Sequence, residues 1–242
     1  MSTRQTLLTT LTVLVVGVAV AAPTMAASVP GSRGHWGAQN AFRVSLGEFE
    51  PRGESQYWAD KAIDFTGDVD GFSDLIAGLD YHRFITQHLG VVASSTFFTG
   101  DTDQAYIDFV DEGGADIFHT TELEAATFQL GVLFNLTRRD RAVVPYVGAG
   151  GGLTYWTLAE FGDFIDFGAA NPEIFNDHFE DDGTTFGWYW QAGAEFPLAP
   201  NLSGFVDGRW TRAEADLEGD FAGLGELDLS GRALSVGLTF SY

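Results

Sequence analysis

The feature that most constrains this chain is a period of two in its closing stretch. Leu234, Val236, Leu238, Phe240 and Tyr242 share one parity, and Ser235, Gly237, Thr239 and Ser241 share the other. A strand sends alternate side chains to opposite faces, so this segment has one apolar face and one small, polar face. The same alternation marks Gly37–Phe49, Ser73–Phe84, Leu89–Thr99, Glu122–Leu136, Val143–Leu158, Thr184–Phe196 and Leu202–Arg212. It is clearest where Phe128, Leu130, Val132, Phe134 and Leu136 oppose Thr127, Gln129, Gly131 and Asn135, with Leu133 as the exception. The connections alternate in length. Long polar loops over Glu50–Phe72, Gly100–Thr121, Ala159–Gly183 and Ala213–Asp228 are interleaved with short turns such as Thr137–Arg141 and Pro197–Asn201.

Eight strands joined by alternating long and short connections describe an up-and-down antiparallel barrel, and periodicity alone leaves two versions of it. A soluble lipocalin-like barrel turns its apolar face inward. A membrane barrel turns that face to lipid and fills its lumen with the small and polar one. Here the apolar faces carry aromatics towards strand ends (Trp188, Trp190, Trp210, Phe240, Tyr242), as interfacial girdles require. The opposite faces hold Gly, Ser, Thr and a few ions, as a narrow eight-strand interior requires.

The N-terminus supports export. Arg4 precedes an apolar run over Leu7–Ala22, and small residues around Ala26 follow, the pattern of a cleaved signal peptide over 1–26. Residues 27–36 read as a flexible lead-in and 37–242 as the barrel. No other run approaches a membrane-spanning helix in length. The sequence contains no cysteine, which excludes a disulfide framework, a thiolate metal site and a cysteine nucleophile. A formal charge of −22, from 34 acids against 12 bases, leaves no basic surface for nucleic acid.

Ser235, Gly237, Phe240 and Tyr242 occupy the positions of a polar-x-Gly-x-x-aromatic-x-aromatic ending, which resembles the C-terminal assembly signal of bacterial outer-membrane β-barrels. With the hairpin rhythm, the chain from about Gly37 to Tyr242 is similar to the small outer-membrane barrel family, which includes the OmpA membrane domain and OmpX-like proteins. That resemblance implies an all-β, eight-stranded transmembrane barrel in the bacterial outer membrane. It also implies the barrel-assembly machinery, outer-membrane lipid and lipopolysaccharide as partners. Ten strands is the alternative, if Tyr106–Val110 or Phe161–Phe167 belongs to a further hairpin.

Three sets of residues are placed to carry function. By parity Arg43, Asp80, His82, Gln129, Glu195, Asp207 and Arg209 point into the lumen, where charges are costly unless paired. Their pairing fills the interior; a rearranging network would make a narrow pore. Most of the acids fall in the long loops, a solvated crown. Within it Asp68, Asp70 and Asp74, and Asp181 and Asp182 before Gly183, are weak calcium candidates, because hard cations want several carboxylates in one tight turn. Aromatics interleaved with those acids (Tyr106, Phe109, Phe161, Phe164, Phe167) suit strand extensions or a docking surface for an extracellular partner. His119 and His178, near Asp116, Thr120, Asp177 and Asp181, are the residues an outer-rim lipid-modifying enzyme or protease would use, without a recognisable catalytic motif. No cofactor is implied. The functional classes are therefore a structural or surface-interaction barrel, a low-conductance porin, and an enzyme.

Overall fold

A computed structural model describes residues 39–67, 69–168 and 172–242, with the side chain of Asp70 excepted. The signal peptide, the lead-in and the calcium candidate Asp68 lie outside the described residues. The elements are β1 (Asn40–Pro51), α1 (Gln56–Asp64), β2 (Asp74–Phe84), β3 (Leu89–Val110), β4 (Asp116–Asn135), β5 (Val144–Asp166), β6 (Glu173–Ala199), β7 (Leu202–Asp216), β8 (Glu226–Asp228) and β9 (Gly231–Ser241). The sheet runs β6-β5-β4-β3-β2-β1-β9-β7, and β6 pairs with β7 to close a ring of eight. β8 pairs only with Glu214–Asp216 at the top of β7 and stays outside the ring.

Within the ring, closure pairs each strand with a neighbour on both sides, the condition for crossing hydrocarbon. The closing strand contributes two seams. Phe240, Leu238 and Val236 lie opposite Phe42, Val44 and Leu46 of β1. The same three residues lie opposite Leu202, Gly204 and Val206 of β7. The apolar parity faces outward: Leu130, Val132, Phe134, Val236 and Phe240 are all exposed on the barrel wall. Gly237 sits tight against β1, with the Phe205 ring 2.7 Å from where a Cβ would be, and Tyr242 stacks on Phe42 with centroids 6.0 Å apart. Leu133, the exception to its strand's pattern, is fully buried inside the ring.

The strands are longer than their alternation indicates. The β3–β4 ladder continues to Val110↔Asp116 and the β5–β6 ladder to Asp166↔Glu173. Most of the stretches expected as loops at Gly100–Thr121 and Ala159–Gly183 are therefore strand. Tyr106–Val110 and Phe161–Asp166 prolong β3 and β5, with Phe167 in the turn beyond, so no further hairpin forms and the ten-strand alternative is excluded. Above the bilayer neither face meets lipid, and the binary pattern loses its cause. The run Glu180-Asp181-Asp182-Gly183 is likewise strand, within β6, and not a turn.

The first long loop holds the nine-residue helix α1. Tyr57 and Trp58 are its buried residues and they point into the barrel mouth. At its end, Phe65 donates its backbone N–H to the Lys61 carbonyl and then bridges to Tyr106 of β3.

Inside the ring, Gly148 and Gly150 of β5 make room for the Gln191 and Tyr189 side chains of β6. A Cβ on Gly150 would lie 2.7 Å from both the Tyr189 ring and the Gly131 Cα. Gly150→Val is expected to lower barrel stability by about 1–3 kcal/mol through overpacking. The check is the urea midpoint of the folded band in a heat-modifiable gel shift; a midpoint equal to wild type would show that Tyr189 can move aside at no cost.

Candidate functional site

The lumen is filled in three layers, each set by the inward parity of the strands. The lowest, at the end bearing the short turns, is apolar: Ala41, Phe84, Val92, Leu133 and Tyr146. Arg139 folds back from the β4–β5 turn, with its guanidinium carbon 3.5 Å from the Phe84 ring centroid. It is buried, whereas Arg138 stays outside beside Asp140. A simple solvated turn accounts for Arg138 and fails for Arg139, whose planar cation finds an aromatic face to cover.

The middle layer gathers the six lumen ions named from parity. Arg43 Nη2 lies 2.6 Å from Glu195 Oε2, with both side chains nearly inaccessible. The Arg43 guanidinium sits between the Tyr146 and Phe205 rings, 4.7 and 4.6 Å from their centroids. Tyr146 in turn donates its hydroxyl to Asp207 Oδ2 at 2.9 Å. Arg209 donates twice to Gln191 Oε1, at 3.1 and 2.7 Å, and approaches Asp80 Oδ1 at 3.7 Å. His82 Nε2 is 3.9 Å from the other Asp80 oxygen. Planar guanidinium groups suit this setting, since they pair in plane and stack out of plane. The cavity left among these groups is about 30 Å³, room for a water or two and no solute.

The top layer is a cork. Tyr57, Trp58, Phe72, Leu123, Trp156, Leu158 and Phe221, from α1, the loops, β4 and β5, form one apolar cluster across the mouth. A cavity of about 40 Å³ separates it from the ions below. Asp228 anchors the cork from the last loop. Its carboxylate accepts the backbone N–H groups of Glu54 and Ser230, both at 2.9 Å, and its carbonyl accepts the Trp58 indole N–H at 3.2 Å.

A second anchor joins α1 to β4 and β5. Lys61 Nζ lies 2.6 Å from Glu160 Oε2, and Tyr57 donates its hydroxyl to Glu160 Oε1 at 2.5 Å. Lys61 also donates to His119 Nε2 at 3.3 Å, so that nitrogen accepts and the imidazole is neutral. Burial pushes the His119 pKa down to about 4, helped by the Lys61 charge. Burial also lowers the Lys61 pKa, against the pull of Glu160. Sequence reasoning missed Lys61, Glu160, Tyr57 and Asp228. One signal was present: Lys61 is the only lysine in the sequence, placed within an acidic stretch.

The remaining expected sites are dispersed. Asp74 Oδ1 accepts its neighbour Leu75's N–H at 2.6 Å. Asp181 Oδ2 accepts the Glu218 N–H at 2.6 Å. Asp182 follows it on β6 and so points to the opposite face of the strand. Among the described residues no three metal-binding side chains cluster. His119 is enclosed by Phe65, Tyr106 and Phe164, while His178 lies on the outer face against Phe161 and Glu180. The two histidines share no site.

Two outcomes follow from these layers. Arg43→Met strands Glu195 in a dry interior and should cost about 3–5 kcal/mol, while adding Glu195→Leu should return at least half of that. Urea midpoints in detergent of wild type, Arg43→Met, Glu195→Leu and the double variant test the coupling; additive losses would show that the pair does not act as a unit. The cork should loosen in acid. His119 has its folded pKa of about 4 below the unfolded value, so the open form takes up the proton more readily. Hydrogen-exchange protection of α1 should therefore fall as pH drops from about 6.5 to about 4. His119→Gln should flatten that profile; an unchanged slope would assign the effect to other groups.

Comparison with known proteins agrees with this architecture. Residues 11–241 match the family model of the outer membrane protein beta-barrel domain. No curated protein matches the chain. Among solved structures it is similar to neisserial surface protein A, at 10% identity and a TM-score of 0.50, covering 84% of this chain and 96% of that one. It is also similar to OprG of Pseudomonas aeruginosa (15% identity, TM-score 0.48, covering 87% and 98%). A third likeness is to Ail, the attachment invasion locus protein of Yersinia pestis (12% identity, TM-score 0.41, covering 84% and 99%). At 10% identity the likeness to neisserial surface protein A is one of fold. With the family model spanning most of the chain, the protein belongs to the outer membrane protein beta-barrel family, whose place is the bacterial outer membrane.

Proposed function

We propose that this protein is a closed barrel that presents a docking surface outside the cell, with neither transport nor catalysis as its role. The observation that carries the reading is the contrast between a sealed interior and an elaborated exterior. The lumen is filled by side chains at three levels, and the cavities left among them hold about 30 and 40 Å³, room for a water or two each. Outside, four strands rise well beyond their neighbours. β2 pairs with β3 only up to Ile76↔Phe98, and β7 with β6 only up to Gly187↔Ala213. β3, β4, β5 and β6 continue as a free-standing wall. Its faces expose Phe109, Phe118, Phe161, Phe167, Ile174 and Phe175 among acids such as Asp108, Asp163 and Asp177. Exposed apolar patches rimmed by charge mark interaction sites, and this one suits a partner with basic and aromatic-accepting surface. On the same reading, Ser235, Gly237, Phe240 and Tyr242 serve recognition by the barrel-assembly machinery, and the outward girdle serves contact with lipid.

The low-conductance pore is the second reading, and the modest anchoring of α1 through Lys61 and Asp228 is what favours it. Planar-bilayer recording of the purified barrel separates the two, with no discrete current steps expected. A variant in which a short turn replaces Asp163–Asn176 should fold, shift on heating and lose binding of the displayed barrel to its target cells. Steps in wild type would move the function to the lumen, and full cell binding by the shortened barrel would remove the wall as the docking surface.

A further inference from the structure

The helix α1 sets the only lysine of the chain among groups that exchange protons. Lys61 Nζ has Glu160 Oε2 at 2.6 Å and His119 Nε2 at 3.3 Å. The second Glu160 oxygen accepts the Tyr57 hydroxyl at 2.5 Å. These groups border a cavity of about 190 Å³, about six water volumes. Tyr57, Phe65 and Leu224 give it apolar walls. Asp60 and Asp64, one turn apart on α1, line it as exposed residues, so the cavity opens to the medium. Only 11% of the Lys61 side chain is accessible. Anchoring α1 needs the ion pair and no cavity. A buried amine that borders an open cavity, with a carboxylate and a phenol at hand, is the arrangement of an activated nucleophile.

We propose that Lys61 captures a small, neutral aldehyde from the medium as a reversible imine. Glu160 and His119 hold two of the three ammonium N–H bonds, and burial disfavours the charged form. The third proton leaves to water in the cavity, and the lone pair it uncovers forms a bond to the carbonyl carbon. The C=O π pair moves to oxygen, which takes a proton from the nitrogen by way of Glu160. The oxygen then takes up the proton first lost and departs as water, while the nitrogen lone pair closes the C=N bond. One ammonium and one aldehyde thus give one protonated imine and one water. The surroundings select this electrophile. The protonated imine keeps a cation beside Glu160, whereas an acyl donor would leave a neutral amide there and carbon dioxide an anionic carbamate. Either would strand a buried carboxylate. Asp60 and Asp64 repel anionic carbonyl compounds at the opening, and the volume admits only a few carbons. Capture without turnover is independent of the docking role of the wall, so each can fail alone.

The test uses the full chain folded in detergent micelles, with propanal and glyoxylate as probes and cyanoborohydride to reduce each imine to a stable amine. Peptide mass mapping reads the rate at Lys61, and the reference is the same chain unfolded in guanidinium chloride. Propanal should label Lys61 at least about tenfold faster in the folded barrel than in the unfolded chain, a gain within what positioned acid–base groups contribute. A merely structural, buried lysine would be labelled more slowly when folded. Glyoxylate, similar in size but anionic, should show no such gain. Glu160→Gln should lose the gain with propanal while keeping the heat-modifiable shift. If that variant does not fold, Asp60→Asn with Asp64→Asn decides, since it should raise the glyoxylate rate of the folded barrel. Folded labelling no faster than unfolded, equal gains for the two probes, an unchanged gain in Glu160→Gln, or label confined to the α-amine would each overturn the proposal.

Discussion

A strand in hydrocarbon has no water to satisfy its amides, so the sheet must meet itself. The rest of this structure depends on how the β7–β9–β1 seam achieves that. The closing strand has to fit between two neighbours, and its small parity allows it. Gly237 lets β1 and the Phe205 ring approach closely, while Ser235 and Thr239 turn inward beside Asp207 and Arg43. The apolar parity then meets lipid without interruption. Alternation along nine residues thus decides both closure and the chemistry of the interior.

Once eight strands close, the interior is too narrow for a wide aqueous channel and too long to leave empty. The chain fills it by height. Apolar groups lie where the lumen must be sealed, and ions lie in the middle, where strand parity alternates charged and small residues. Buried charges are costly one at a time, and the arrangement answers this by giving each several partners. Arg43 has a carboxylate in its plane and a ring on each side. Arg209 has Gln191, Asp80 and the Tyr189 ring. Such a network adds less to stability than its contact list suggests, because desolvation offsets most of the attraction. What it fixes is which side chains occupy the lumen, and so the register of the strands that carry them.

The sequence was legible wherever the two faces of a strand meet different media. That condition holds in the membrane band, where Phe128 to Leu136 announced itself and where the lumen ions could be named from parity. Leu133 broke the pattern for a physical reason: it belongs to the apolar seal, where inside is as greasy as outside. Higher up, Tyr106–Val110 and Phe161–Asp166 lack the alternation because both their faces leave the bilayer; the structure makes them strand extensions, with the β5–β6 ladder continuous to Asp166↔Glu173 and the β3–β4 ladder shifting register between Ala105 and Val110. α1 was illegible for another reason. Nine residues with two buried aromatics carry too little periodicity, and its docking depends on Glu160 and Asp228, far away in sequence.

The same logic explains the distribution of charge around the rim. Acids are tolerated above the girdle because water reaches them, and repulsion between them keeps the wall apart from like-charged neighbours. Repulsion alone would also push the barrel away from any anionic leaflet. The arginines at the tops of β7, β9 and β1 are the local exception, on the side where the strands stop short, and they face Glu50 and Glu54. The tall acidic wall and the low basic rim occupy opposite sides of one ring. Strand length and charge are thus correlated around the barrel: the long strands β3 to β6 carry acids on their outward positions, and the short strands β7, β9 and β1 carry the exposed arginines.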